Sequence, residues 1–283
     1  MSHFEKSGPA ICLVTPVFND WEALAQLLAA IEKSLGPLVS KLAVVAVNDT
    51  STIVCDPQSL IPNPHSLIQS ITMLDLRANV GHQFAIAAGL HYAHEHQVSD
   101  AFLIMDADGE DRPDDAAKLI TAWQANPRHL IVAERAKRSE SLVFKMFYLF
   151  YRRIFRALTG HSISFGNFSL IPAALLPSLL SRPELIYHFA ATMLRTRLPI
   201  TRVATARGNR YAGISRMNMP ALVLHAVGAL SVFSDVLFSR ILISTAFVGV
   251  FCAAGMITAT SMRLFTPYAF PNWATTVVGL TCH

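Results

Sequence analysis

The chain has 283 residues, 52% of them hydrophobic and only 15% charged, with a mean hydropathy of +0.40. A water-soluble globular domain carries about 25% charged residues, so this composition places part of the chain in lipid. The formal net charge of +4 suits anionic lipid or phosphorylated partners, but the basic residues are too scattered for a nucleic-acid arm.

The opening "MSHFEKSGPA" lacks the apolar run of a signal peptide, so roughly the first 200 residues are expected to stay on the cytoplasmic side. Short apolar runs bounded by polar residues follow: "AICLVTPV" (10–17), "LAVVAV" (42–47), "SITMLDL" (70–76) and "AFLIMD" (101–106). They read as buried strands. Between them "DWEALAQLLAAIEKSLG" and "HQFAIAAGLHYAHEHQ" carry apolar residues at helical spacing. Strand–helix alternation predicts an α/β fold with a mostly parallel sheet covered by helices. Ligands of such sheets bind at the carboxyl ends of the strands. The polar loops "PVFND", "NDTS" and "DADGED" all fall there. Cys12, Cys55, Cys252 and Cys282 form no C-x-x-C pair and read as buried or free thiols.

The last quarter differs. Ile241–Met262 contains no charged residue and at about 1.5 Å per residue reaches about 33 Å, enough for a hydrocarbon core of about 30 Å. Before it, Pro220 stands near a helix start, and His225, Gly228, Ser231 and Ser234 recur at every third position. That stripe reads as the polar face of an amphipathic helix lying at an interface. "RLFTPYAFPNW" suits a turn at the far interface, with Trp273 as its anchor, and "ATTVVGLTCH" begins a second apolar segment too short to cross. The expected organisation is a catalytic domain over 1–210, an interface segment over 211–236, a membrane helix over 237–262 and a loop with an incomplete second segment over 263–283.

"FLIMDADGEDRPDD" (102–115) places six acidic side chains after an apolar strand. An EF-hand loop starting at Asp106 would need glycine at its sixth position and glutamate at its twelfth, where Asp111 and Ala117 stand. Calcium fails on spacing. Asp111 or Asp114 reads as the cap of the helix begun by "DRPDDAAKLITAW", and Asp114 and Asp115 as surface-turn residues. Asp106 and Asp108 are different: carboxylates leaving the end of a buried strand repel unless a cation sits between them. Two of them two positions apart can reach one Mg²⁺ or Mn²⁺ that also holds a diphosphate.

"LVTPVFND", "VAVNDTS", "RANVGHQFAIAAGL" and "MDADGEDRPDD", in this order and spacing, resemble the GT-A catalytic domain of family 2 glycosyltransferases. "FYRRIFRALTG", "GNFSLI" and "RGNRYAGISRMN" extend the likeness, over about residues 9 to 275, to the polyprenyl-phosphate glycosyltransferases. The resemblance implies a Rossmann-like sheet with helices on both faces, followed by the interface and membrane helices. It implies that Pro16, Val17, Asn19, Asn48, Asp49 and Asp106 bind the nucleotide-sugar. Asp106 and Asp108 match the D-x-D motif that holds Mg²⁺ or Mn²⁺, with Glu110 as a third ligand, and Asp108 and Arg135 are the expected catalytic residues. Arg207, Arg210 and Arg216 are expected to grip an acceptor phosphate. The sequence departs from the family at Asn48 and Thr50, within the usual D-D-G-S, and at Asn167, where "G-D-F-R-L" has an aspartate.

The activity so implied is inverting transfer of a sugar from a UDP- or GDP-linked donor to a polyprenyl phosphate. It would take place at the cytoplasmic membrane, with the catalytic domain facing the cytoplasm. A lipid phosphate is already anionic and needs no strong base, so Asn167 is tolerable there. A glycolipid or polysaccharide hydroxyl acceptor would instead need Asp108, Glu110 or Asp111 as base. A catalytically silent membrane scaffold is the third reading, against which stands the intact Asp106/Asp108 pair. Membrane lipids are the expected surroundings, nucleic acid is not an expected partner, and a membrane helix per chain is compatible with a homo-oligomer. His82, at the start of a helix, reads as a capping or solvated residue, with contact to phosphate at that helix N-terminus as the alternative, and His188 and His225 read as packing or interfacial residues rather than ligands.

Overall fold

The structure, a computed structural model, describes residues 8–56, 60, 66–135, 142–211 and 219–266, with the backbone alone over 142–148, 150–151 and 219–221. Arg216, Trp273 and the second apolar segment lie outside the described residues. Two compact units are present: 1–156 with 161–232, and 157–160 with 233–283.

The first unit is built on seven strands: β1 (Ala10–Val17), β2 (Lys41–Asn48), β3 (Ile68–Asp75), β4 (Ala101–Ile104), β5 (Leu130–Arg135), β6 (Ser169–Pro172) and β7 (Ile200–Thr205). They order as β3-β2-β1-β4-β6-β5-β7. All neighbours are parallel except β6, which runs antiparallel to β4 and β5. Helices α1 (Trp21–Leu35), α2 (His82–His96), α3 (Pro113–Ala125), α5 (Leu176–Leu180) and α6 (Phe189–Arg195) cover the sheet, and α4 spans Leu142–Thr159.

Side chains alternate across a strand, and this alternation creates two cores. Ile11, Leu13, Val44 and Leu103 pack with Leu24, Leu27 and Ile31 of α1 and Leu119 and Ile120 of α3. Cys12, Val14, Val45, Phe102 and Ile104 pack on the other face with Ile86 and Leu90 of α2, Leu179 of α5 and Phe189 and Met193 of α6. Gly89 is required where α2 crosses the sheet, because a Cβ there would lie 2.6 Å from Val14 and Val47. The strand–helix reading therefore holds for β1 to β4, while β5, β7 and the antiparallel β6 are additions to the four strands read from periodicity.

Helix α7 (Met219–Ser231) closes this unit. His225 turns onto His188, with Nε2 atoms 3.1 Å apart, and Gly228 packs on the Tyr187 carbonyl, which a Cβ would approach to 3.0 Å. Two residues of the stripe expected to face water thus make contacts, although His225 itself stays exposed. The outward residues are apolar: Val223, Leu224 and Val227 are exposed.

The second unit is dominated by α8 (Ser234–Phe265), an unbroken helix of 32 residues. Its most apolar window has a mean hydropathy of 2.1 and none of it is buried. Among the described residues it is the one helix long and apolar enough to cross a membrane.

Candidate active site

The carboxyl ends of β1, β2 and β4 meet through their loops. Asn19, at φ 61, donates its backbone N–H to Ser51 Oγ (2.8 Å), while its Oδ1 accepts from the N–H groups of Thr52 and Ile53. Asn48 accepts from Ser51 N–H and donates to Asp75 (2.7 Å). Asp49 is buried, and its two carboxylate oxygens accept from Val80 and Gly81 N–H at 2.8 and 3.0 Å. Val17 lies in the core and Pro16 is half-buried. Of the expected nucleotide-binding residues, Asn19, Asn48 and Asp49 thus organise the loops around the site. Thr50 takes φ 63, the left-handed region that explains the glycine usual at this position in the family.

The 106–111 turn leaves β4 and is covered by the chain that follows β7. Gly208 N–H donates to the Glu110 carbonyl (2.8 Å) and Tyr211 N–H to the Asp108 carbonyl (2.9 Å). Gly109, at φ +87, sits under the Tyr211 ring, which a Cβ would approach to 2.6 Å. This strap brings two arginines onto the acidic turn. Arg210 Nη2 lies 2.6 Å from Asp108 and its Nε 3.1 Å from Glu110, while Arg207 lies 2.6 Å from Glu110. Arg135, from the end of β5, reaches Glu110 at 3.6 Å and Asp111 at 3.4 Å.

Four carboxylates and three guanidiniums therefore share one patch, and their pKa directions diverge. Burial raises Glu110, but the Arg207 and Arg210 hydrogen bonds overcome it and the net direction is down. Burial also raises Asp106, yet His82, Arg135 and Arg210 bring the net direction down. Asp108 moves up through burial and the Asp106 charge, despite the Glu110 N–H. Asp111 is pushed up to about 7 by burial and the Asp106 charge.

The residues fit a divalent cation in part. The three-carboxylate set expected from the resemblance is not assembled: Asp108 and Glu110 are turned onto arginines, and among the described residues no three His, Cys, Asp or Glu side chains form a cation site. Asp106 is the exception. Its Oδ1 is shielded from solvent and lies 3.2 Å from His82 Nε2, an ion pair when that ring is protonated. A carboxylate held ionised at the edge of a solvent-reached patch can serve as one ligand of a cation that draws its others from a diphosphate and water.

Other readings are corrected by contacts. Neither Asp111 nor Asp114 caps α3: Arg112 holds the cap position with no side-chain bond, Asp111 accepts from Asp106 N–H (3.2 Å), and Asp114 accepts from Ser34 (2.9 Å). Asp115 is fully buried rather than on the surface, accepting from Lys118 and from Ala206 N–H at the root of the strap. His188, not a mere packing residue, caps α6 by accepting from Ala191 N–H (3.2 Å). Gln83 was missed altogether. It joins Asn167 (3.3 Å) to the Phe189 N–H (2.7 Å), a link between α2 and α6 that spacing in the sequence does not signal.

Comparison with known proteins agrees with this architecture. Residues 12–178 match the model of the family described as glycosyl transferase family 2. The chain is 24% identical over 278 residues to the uncharacterized glycosyltransferase YkcC of Bacillus subtilis, covering 94% of this chain and 81% of that protein. It is 26% identical over 214 residues to the bactoprenol glucosyl transferase of Shigella phage SfX, covering 74% and 67%. The fold is also that of glucosyl-3-phosphoglycerate synthase from Mycobacterium tuberculosis, solved with Mn²⁺, UDP-glucose and phosphoglyceric acid, at a TM-score of 0.57, 15% identity and coverage of 82% and 81%. With more than half of the chain matching the family model and a GT-A sheet beneath the acidic turn, the chain belongs to glycosyl transferase family 2 and is a glycosyltransferase.

Proposed function

We propose that this glycosyltransferase moves a sugar from a nucleotide-diphosphate donor, held with a divalent cation, to a polyprenyl phosphate at the cytoplasmic face of a membrane. The observation that carries the reading is the convergence of Arg135, Arg207 and Arg210 on the carboxylates of Asp108, Glu110 and Asp111. Such pairs, half-exposed, contribute little stability by themselves. They do keep three guanidiniums oriented at the end of the sheet, where two phosphate-bearing substrates would meet. Asp106 is the side chain placed to hold the cation. When bound, that cation neutralises charge on the departing diphosphate, usually the largest contribution in such a site. The guanidiniums exchange carboxylate for phosphate oxygens, which they match as bidentate donors.

The acceptor follows from residue 167. Asn167 cannot act as a base, and a phosphate acceptor needs none at neutral pH. The similarity to a bactoprenol glucosyl transferase and the uncovered apolar surface of α8 support a lipid acceptor and a membrane location. A second reading, transfer to a glycolipid or polysaccharide hydroxyl, is favoured by Asp111, whose carboxyl, pushed up to about 7, suits a general base. Membranes carrying the protein, incubated with Mn²⁺ and labelled UDP- and GDP-sugars, separate the two. Acid-labile label in the organic phase, reduced by ~10²–10³ in Asp106→Asn, is expected. Acid-stable label would replace the phosphate acceptor with a hydroxyl, and undiminished transfer by the variant would remove Asp106 from the cation site.

A further inference from the structure

We infer that Arg210 competes with the divalent cation for Asp108, so that the strap over residues 206–211 closes this carboxylate to a free ion and yields it only to an ion that arrives with a diphosphate. This rests on the cation reading of Asp106 given above and supplies the regulation of that same site.

The chain after β7 is seated on the acidic turn by its backbone. Ala206 N–H donates to Asp115 at the root (3.2 Å), Gly208 N–H to the Glu110 carbonyl (2.8 Å) and Tyr211 N–H to the Asp108 carbonyl (2.9 Å). Two glycines make the seat possible. A Cβ on Gly208 would lie 2.2 Å from the Gly109 carbonyl oxygen, and one on Gly109 would lie 2.6 Å from the Tyr211 ring. The carbonyls so bonded belong to the same residues whose carboxylates the strap arginines take. Register therefore decides the pairing. With Tyr211 fixed on Asp108, the preceding Arg210 sets its Nη2 2.6 Å from the Asp108 carboxylate and its Nε 3.1 Å from Glu110. Arg207, next to Gly208, lies 2.6 Å from Glu110.

The strap closes some carboxylates and not others. Asp106 keeps 34% of its side chain exposed, whereas Asp108 keeps 18% and Glu110 14%. A cation bound to an Asp108 oxygen at about 2.1 Å would stand within about 5 Å of the Arg210 guanidinium. Like charges at that spacing oppose each other. A free ion must therefore drive Arg210 off Asp108 and Glu110 with nothing to receive it.

A diphosphate changes the exchange. Its oxygens receive the guanidiniums, which match them as bidentate donors, while the ion replaces those guanidiniums at the carboxylates. Every charged group then leaves with a new partner. The strap can part from the turn because it carries no helix or strand over 206–211, and its partly exposed ion pairs contribute little stability. Tyr211 is a positioning residue: it clasps the strap to Gly109 and acts on the cation only through Arg210.

The test is Mn²⁺ binding by the full chain in detergent, followed through the electron spin resonance of free Mn²⁺, alone and with UDP or GDP. Arg210→Ala should hold Mn²⁺ alone about tenfold tighter than wild type. The tightening of Mn²⁺ by nucleotide should shrink by a similar factor, since the nucleotide no longer has a guanidinium to draw away. Tyr211→Ala, which leaves every charge in place, should tighten Mn²⁺ in the same direction by a smaller factor. Mn²⁺ held equally or more weakly by Arg210→Ala, while Asp106→Asn abolishes it, overturns the competition and leaves the cation reading standing. A gain in Arg210→Ala with none in Tyr211→Ala overturns the part given to the strap. Mn²⁺ binding unchanged in Asp106→Asn overturns both the competition and the cation reading.

Discussion

The sheet and the C-terminal helix bury their apolar residues in opposite ways. In the first unit Ile11, Leu13, Val14 and Leu103 are fully covered by α1, α2 and α3 from either side. In α8, Leu242, Phe247, Val250 and Phe251 are all about 70% exposed or more, and Ala259 is its only buried residue among those described. The sheet satisfies its hydrophobic surface within the chain, whereas α8 needs an apolar medium outside it. Exposed apolar residues on α7 (Val223, Leu224 and Val227) show the same need on a smaller scale, on a helix whose other face is packed against His188 and Tyr187. One molecule therefore carries a self-sufficient catalytic fold and a helix that has no such sufficiency.

The comparison breaks most visibly if a charge is placed in α8. Val250→Lys should cost about 3 kcal/mol of membrane insertion, a shift of roughly 100-fold in partition, while UDP binding by the detergent-solubilised protein stays within a factor of two. Flotation with liposomes reads the first and equilibrium binding the second. Unchanged flotation would mean that α8 does not lie in lipid.

A change inside the catalytic unit should do the reverse. Arg210→Ala frees the carboxylates of Asp108 and Glu110 from their shared guanidinium and should lower transfer about 10²-fold with flotation unaffected. Arg207→Ala, whose partner is Glu110, should have a smaller effect. Equal activity in both variants would show that the strap arginines only secure the acidic turn.

Acid should weaken the first unit through a buried histidine. Burial, reinforced by His225, pushes His188 down to about 3. Its Nδ1 accepts from Ala191 N–H, so the buried ring is neutral with its proton on Nε2. The unfolded chain takes up a proton near pH 6.5, the folded chain only near 3. Stability from this residue is complete above about 6.5 and falls as pH drops towards 3. Thermal unfolding at pH 7.5 and 5 should show a loss that His188→Asn reduces; an equal loss in the variant would assign the acid sensitivity elsewhere.

The smallest effect is expected at Thr50, a β-branched residue at φ 63. Thr50→Gly relieves that strain, offset in part by the flexibility it gives the unfolded chain and by loss of a 3.3 Å bond to the Leu76 carbonyl. A gain of about 1 kcal/mol, or roughly 2–4 °C in Tm, is expected in calorimetry. A lower Tm would show that the bond outweighs the strain.

The sequence by itself determined the first four strands, the helices between them and the extended apolar helix, because each is written in a local period: continuous apolarity for strands, 3.6 for helices, and an uncharged run longer than a bilayer is thick. It also located the acidic turn at the end of β4, since strand ends and ligand loops coincide in such sheets. Only the tertiary structure decided what those side chains face. Arg210 meets Asp108 across 102 positions, Gln83 meets Phe189 across 106, and His188 meets His225 across 37. Asp111 reads locally as a helix cap and Asp115 as a turn residue, yet they are buried because β5 and the strap after β7 close over them. Local periodicity records which face of an element is apolar. It holds no record of which distant donor will meet a given carboxylate, because that pairing arises only when strands separated in the chain become neighbours in the sheet.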